Sequence, residues 1–295
     1  METWISLSIA AAAAQTLRFA VQKALAGTAL SPAGATWARF FWSFPVVATA
    51  MIGYLILNDL RAPDLSRDFW SFALLGGLFQ ILATVCTVAL FKHRAFAVGI
   101  TFKKTEVMLT ALAGFIILGD VISAIGTTAI AVGFIGVILL SEPPGGGTIA
   151  NRATGLGLMS GVFFALSAVA YRGATLELPG DDLFLRSGLT LSIVVCWQTL
   201  VLGVWLYWRE PGQIQATLSS WHQSSLVGLF SLIGSWCWFA AFSLQSAAYV
   251  FAVGQVELIF SLMVGVLWFQ ERITHREFAG MVLLTLSILV VALTG

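Results

Sequence analysis

The stretch Gly99-Ile-Thr-Phe-Lys-Lys-Thr-Glu-Val-Met-Leu-Thr110 sets Lys103, Lys104 and Glu106 inside an otherwise apolar helical run from Ala95 to Leu118. Glu106 lies 11 residues into that run, or ~17 Å along a helix. A carboxylate there is too deep to reach an interface. Its match, Val250-Phe-Ala-Val-Gly-Gln-Val-Glu-Leu-Ile-Phe-Ser261, follows at an offset of 151 residues and aligns Glu106 with Glu257 and Thr110 with Ser261. The offset holds through Gly77/Gly228, Cys86/Cys237, Phe91/Phe242, Gly114/Gly265 and Asp120/Glu271. Pro32/Pro179 and Arg39/Arg186 match at 147. A constant register with acids matched in both copies indicates an internal duplication.

Composition explains what the duplicated unit is. Of 295 residues, 59% are apolar and 10% charged, and mean hydropathy is +0.93. A soluble domain carries about 25% charged residues, so this chain is read as an all-α polytopic membrane protein. A net charge of +1 gives no footing for nucleic acid. Ten candidate spans of membrane length run Trp4–Val21, Ala35–Leu57, Phe69–Phe91, Ala95–Leu118, Val121–Leu140, Gly155–Ala174, Leu183–Trp208, Ser225–Leu244, Ala247–Phe269 and Phe278–Leu293.

The Pro/Gly-rich segment Ser141-Glu-Pro-Pro-Gly-Gly-Gly-Thr-Ile-Ala-Asn-Arg152 divides them five and five. The expected organisation is a first five-helix repeat over 1–141, a linker over 142–152 and a second repeat over 153–295. An odd number of spans per repeat places the copies in opposite orientations. Such inverted repeats put a binding site near the midplane of secondary transporters.

Polar stripes at helical spacing mark the expected lining. They are Ser8, Gln15, Arg18 and Gln22 in span one; Gln80, Thr84 and Thr87 in span three; and Lys103, Glu106 and Thr110 in span four. The second half offers Ser160, Phe164, Ser167 and Tyr171 in span six, Ser231, Ser235, Trp238 and Phe242 in span eight, and Glu257 and Ser261 in span nine. The expected substrate-binding set is Lys103, Glu106, Thr110, Glu257, Ser261, Gln15, Arg18, Gln80 and Trp238.

Lys103 and Glu106, at i and i+3, should pair. Lys104, ~100° away around the helix, should point elsewhere. Glu257 has Gly254 where Glu106 has Lys103, so it should be unpaired and readily protonated. Proton coupling is accordingly assigned to Glu257, with Glu106 as the second carboxylate. Arg39 and Arg186, near helix starts, read either as interface anchors or as symmetric partners. Spans five and ten are small and apolar and suit packing or a homodimer contact.

Cys86, Cys196 and Cys237 lie in apolar runs without a CxxC, and His93, His222 and His275 fall in loops. No metal, cofactor or catalytic motif is expected. Cytoplasmic Lys/Arg bias, with Lys23, Lys92, Arg94, Arg152, Arg209, Arg272 and Arg276 on one side, puts both termini outside.

The two five-span repeats, with Leu118-Gly119-Asp120 and Phe269-Gln270-Glu271 ending spans four and nine, resemble the drug/metabolite transporter superfamily, EamA type. The resemblance implies a multi-pass protein of the inner or plasma membrane, with both termini inside. It also implies transport of small metabolites by alternating access, through a cavity lined by helices one to four and six to nine. In that family helices four and nine often carry a proline where Glu106 and Glu257 stand here. The expectation is therefore a secondary transporter for a small polar, amino-acid-like or zwitterionic metabolite, with protons as coupling partner and the bilayer as solvent. The alternatives are an anionic or phosphorylated substrate, a membrane scaffold or sensor, and an intramembrane enzyme.

Overall fold

A computed structural model describes residues 2–28, 30–113 and 151–294, with scattered positions between Ile125 and Leu139. Most of span five, Asp120, Gly114 and most of the 142–152 linker lie outside the described residues.

The described residues form helices and no strands: α1 Thr3–Thr28, α2 Pro32–Leu57, α3 Arg67–Leu90, α4 Phe96–Lys103, α5 Thr105–Ala113, α6 Arg152–Leu176, α7 Leu183–Arg209, the short α8 Gln213–Ser219, α9 Trp221–Leu244, α10 Ala247–Val253, α11 Val256–Leu267 and α12 His275–Thr294. Seven described helices are long and apolar enough to cross a membrane. Starts are fixed locally. Ser31, Ser66, Asn151 and Asp182 accept the backbone N–H three residues on, those of Gly34, Phe69, Thr154 and Leu185, which satisfies N–H groups a helix leaves orphaned.

The burial pattern is inside out for a water-soluble protein. Gln15, Arg18, Gln22, Arg39, Thr84, Lys103, Lys104, Glu106, Gln198 and Glu257 are buried, whereas Ile56, Leu57, Leu200, Val204, Ile259 and Leu267 are exposed. An apolar exterior around a polar axis matches hydrocarbon as solvent, where each buried polar group needs an internal partner. Trp70, Tyr207, Trp208, Trp221 and Trp268, near helix ends, are exposed and suit the interfacial belt.

The two halves interleave. α3 lies along α6, α1 along α9, and α2 along α7 and α9. Thr87 and Ser160 hydroxyls meet at 2.6 Å, while a Cβ on Gly173 would stand 2.9 Å from the Phe72 ring, so α3 and α6 run antiparallel. Trp42 sits over Gly228, and Trp37 Nε1 donates to the Thr199 carbonyl at 2.9 Å. Among the described span-five residues, Gly133 faces Met108 and Ser287, and Gly136 approaches the Gly280 carbonyl. These two glycines thus face α12 of the same chain.

Candidate functional site

Spans four and nine, expected as continuous helices, are each interrupted beside the buried acid. Between α4 and α5 the helix tightens at Lys104, whose N–H reaches the Thr101 carbonyl at 3.0 Å. Thr105 Oγ1 donates back to the Phe102 carbonyl at 2.9 Å. Between α10 and α11 the break spans Gly254 and Gln255, with Glu257 N–H on the Gly254 carbonyl at 3.1 Å.

Glycines make room for both interruptions. A Cβ on Gly161 of α6 would stand 2.1 Å from Thr105 Oγ1, and one on Gly254 would stand 2.6 Å from the Trp238 ring. The Lys104 and Gln255 positions keep the offset of 151 residues. Each break opens a new half-helix, and Glu106 and Glu257 occupy the first turns of α5 and α11. Helix N-termini favour negative charge there.

The breaks bring four charges together. Lys103 Nζ stands 3.0 Å from Glu106 Oε1 and 3.2 Å from Glu257 Oε2. Lys104 Nζ stands 2.7 Å from Glu257 Oε2 and 3.8 Å from Glu106 Oε1. It also donates to the Gly254 carbonyl at 3.0 Å. Gln15 Nε2 reaches both Glu257 oxygens at 3.1 Å. Two lysines balance two carboxylates, and each is no more than 1% exposed. Among the described residues Glu106 Oε2 has no hydrogen-bond partner.

This arrangement corrects three expectations. Lys104 points into the cluster, because the 100° step that turned it away applies only to an unbroken helix. Glu257 is not unpaired: lysines from the other half reach it, which spacing within its own helix cannot reveal. Arg39 is no interface anchor. It is 3% exposed and donates to Ser231 at 2.8 Å, Thr84 at 2.9 Å and Ser235 at 3.1 Å. Its match Arg186 instead donates to the Thr175 carbonyl at 2.9 Å.

A small cavity of about 20 Å³ lies beside the cluster, room for about one water. One side carries Gln15, Lys103 and Glu106; Gln80, Ser167 and Ser235 add polar atoms. The rest is Ala168 and six aromatic residues: Phe164, Tyr171, Trp238, Phe239, Phe242 and Phe251. Trp238 stacks with Phe242 at 5.8 Å between centroids and meets Phe251 edge-on at 5.5 Å. Tyr171 donates to Gln80 Oε1 at 3.0 Å, and Gln198 Nε2 donates to the same oxygen at 2.9 Å. Gln198 was missed in the sequence because a single amide forms no stripe.

Of the expected set, Gln15, Gln80, Lys103, Glu106 and Trp238 line the cavity. Glu257 sits behind Lys103 and Lys104. Arg18 sits behind Gln15, donating to its Oε1 at 3.4 Å and to Gln22 Oε1 at 2.8 Å. Thr110 and Ser261 are off the wall, their hydroxyls given to the carbonyls of Glu106 and Leu258. That is the ordinary fate of a helical hydroxyl.

At one end of the bundle Glu271 caps α4: its Oε2 accepts the Phe96 N–H at 2.7 Å, while Oε1 pairs with Lys23 of α1.

No curated protein sequence matches the chain. A solved crystal structure shares the fold with a TM-score of 0.65 at 14% identity, covering 98% of this chain and 96% of that one. Residues 152–293 match the EamA-like transporter family. Through that match the second half of the chain, residues 152–293, belongs to the EamA-like transporter family of the drug/metabolite superfamily, a family of membrane transporters.

Proposed function

We propose that the protein is a secondary transporter for a small polar metabolite of amino-acid-like, zwitterionic character, working by alternating access around the buried cavity. The observation that carries this reading is a cavity lining that combines the Lys103–Glu106 pair, one of whose carboxylate oxygens lacks a donor among the described residues, with six aromatic rings. Each charge costs about 2.5–3.5 kcal/mol at the bilayer centre. A stabilising role alone is a weak reason to keep them, since buried ion pairs seldom improve on apolar packing. A substrate ammonium suits Glu106 Oε2, and the rings suit an apolar side chain or a cation over their faces.

The proposal includes two five-helix halves of opposite orientation, supported by the helix breaks at matched positions. The closed cavity holds little more than a water, so binding requires the half-helices around Lys104 and Gly254 to move. Proton coupling is proposed for Glu106, which has an oxygen open to a proton, with Glu257 as its charge-tied partner. A homodimer and placement in the inner or plasma membrane remain parts of the proposal. An anionic substrate is the second reading, favoured by Arg18 and Arg39, neither of which has a carboxylate within salt-bridge distance among the described residues.

Counterflow in proteoliposomes tests this reading. Labelled zwitterionic amino acids, dicarboxylates and phosphorylated sugars are offered in parallel. The expected result is exchange of a zwitterion, reduced at least ~10-fold by Lys103→Met and by Glu106→Gln, as for loss of one charged contact. Full exchange by both variants contradicts it.

A further inference from the structure

Most buried helical hydroxyls here donate to the carbonyl one turn back, as Thr16, Thr87, Thr101 and Thr190 do. Thr84, Ser231 and Ser235 donate to nothing among the described residues. Each instead accepts from Arg39. A hydroxyl that accepts from an arginine keeps its own hydrogen to give.

The guanidinium carries five N–H groups, of which three are engaged by these hydroxyls. One hydrogen on each terminal nitrogen is left, the pair that grips a planar anion side by side. The group as a whole therefore offers five hydrogens, against one remaining lone pair on each hydroxyl. Arg39 is 3% exposed, and Thr84, Ser231 and Ser235 are no more exposed than 6%. The balanced Lys103, Lys104, Glu106 and Glu257 cluster leaves Arg39 and Arg18 as excess positive charge in the same core. Ser235 lines the cavity and so joins this cup to it.

We propose that Arg39, Thr84, Ser231 and Ser235 form an anion subsite of the cavity, taking a small monovalent anion that is either the carboxylate of the transported substrate or a free halide. An anion accepts from these donors and offsets buried positive charge. A neutral ligand can accept but offsets no charge, and a cation adds to it. A phosphodianion would need more donors than the two free N–H groups and three hydroxyls supply at full coordination. The proposal deepens the transport reading by assigning the two ends of a zwitterion: carboxylate at Arg39 and ammonium at Glu106.

Binding is measured without transport, on the full chain in detergent. Chloride alone is titrated while the ³⁵Cl NMR line width is followed; acetate is then added at constant ionic strength. The wild type should broaden the line saturably. Arg39→Met should abolish the broadening. Because that variant removes a buried charge, the Ser231→Ala/Ser235→Ala pair, which keeps the charge and loses two hydroxyls, provides the second arm. It should weaken chloride at least ~10-fold, the effect of losing donors to a charged group. Displacement of chloride by acetate assigns the subsite to a carboxylate; broadening that acetate leaves intact assigns it to a halide. Absence of broadening, or equal broadening by the wild type and the serine pair, overturns the subsite. Neither failure touches the counterflow result for Lys103 and Glu106, so the two readings stand or fall separately.

Discussion

Glu257 and Glu106 are both fully buried, yet their surroundings differ. Glu257 receives Lys103, Lys104 and Gln15, whereas one oxygen of Glu106 receives nothing. Removing one partner of a buried pair strands the other, at about 3–5 kcal/mol. Glu257→Gln takes from Lys104 its 2.7 Å partner, leaving it only Glu106 at 3.8 Å, and should lower the unfolding temperature in detergent more than Glu106→Gln does. Adding Lys104→Met to Glu257→Gln should recover part of that loss, the non-additivity expected of side chains in contact. Thermal unfolding of the four proteins checks both statements; a double variant no more stable than Glu257→Gln contradicts the pairing.

At the scale of elements, the half-helices depend on small residues facing them. Gly161 admits Thr105 and the Glu106 backbone, so Gly161→Leu forces α6 away from the break. Overpacking of this kind costs about 1–3 kcal/mol and should disturb transport beyond its effect on stability, because the break that α6 packs against carries Lys103 and Glu106. Transport and unfolding temperature measured on one preparation check this. Gly155→Leu serves as control: a Cβ there meets nothing within 4 Å.

The described helices largely coincide with the sequence spans, since length and apolarity alone identify a membrane helix. The stripes of spans one, three, four, six and eight each send at least one residue to the cavity, whereas Glu257 and Ser261 of span nine stay off it. The breaks were not legible: Lys104 and Gln255 are ordinary helix residues, and what interrupts the helix is a tertiary contact with Gly161 or Trp238. The wrong reading of Lys104 followed directly. Arg39 was legible as a charge in a span but not as a central one, because its three hydroxyl partners come from α3 and α9.

On the scale of the whole molecule, the repeats are legible as sequence halves but not as separable bodies. α1 and α3 find their main partners, α9 and α6, across the linker. Residues 1–141 expressed alone should therefore be degraded, with apolar helix faces left uncovered. Co-expression with 142–295 should restore a membrane-inserted complex, checked by co-purification. A stable, folded 1–141 fragment contradicts the interleaving.

The central claim is that the closed cavity between Lys103–Glu106 and the aromatic wall opens to water and admits substrate. Ala168 lines that cavity. The most direct measurement places Ala168→Cys in a background where Cys86, Cys196 and Cys237 are serine, then treats proteoliposomes with a charged methanethiosulfonate. The account predicts that labelling proceeds, that it stops transport, and that the zwitterion identified by counterflow protects the thiol. A thiol that stays unlabelled during turnover, or one whose labelling leaves transport unchanged, contradicts it.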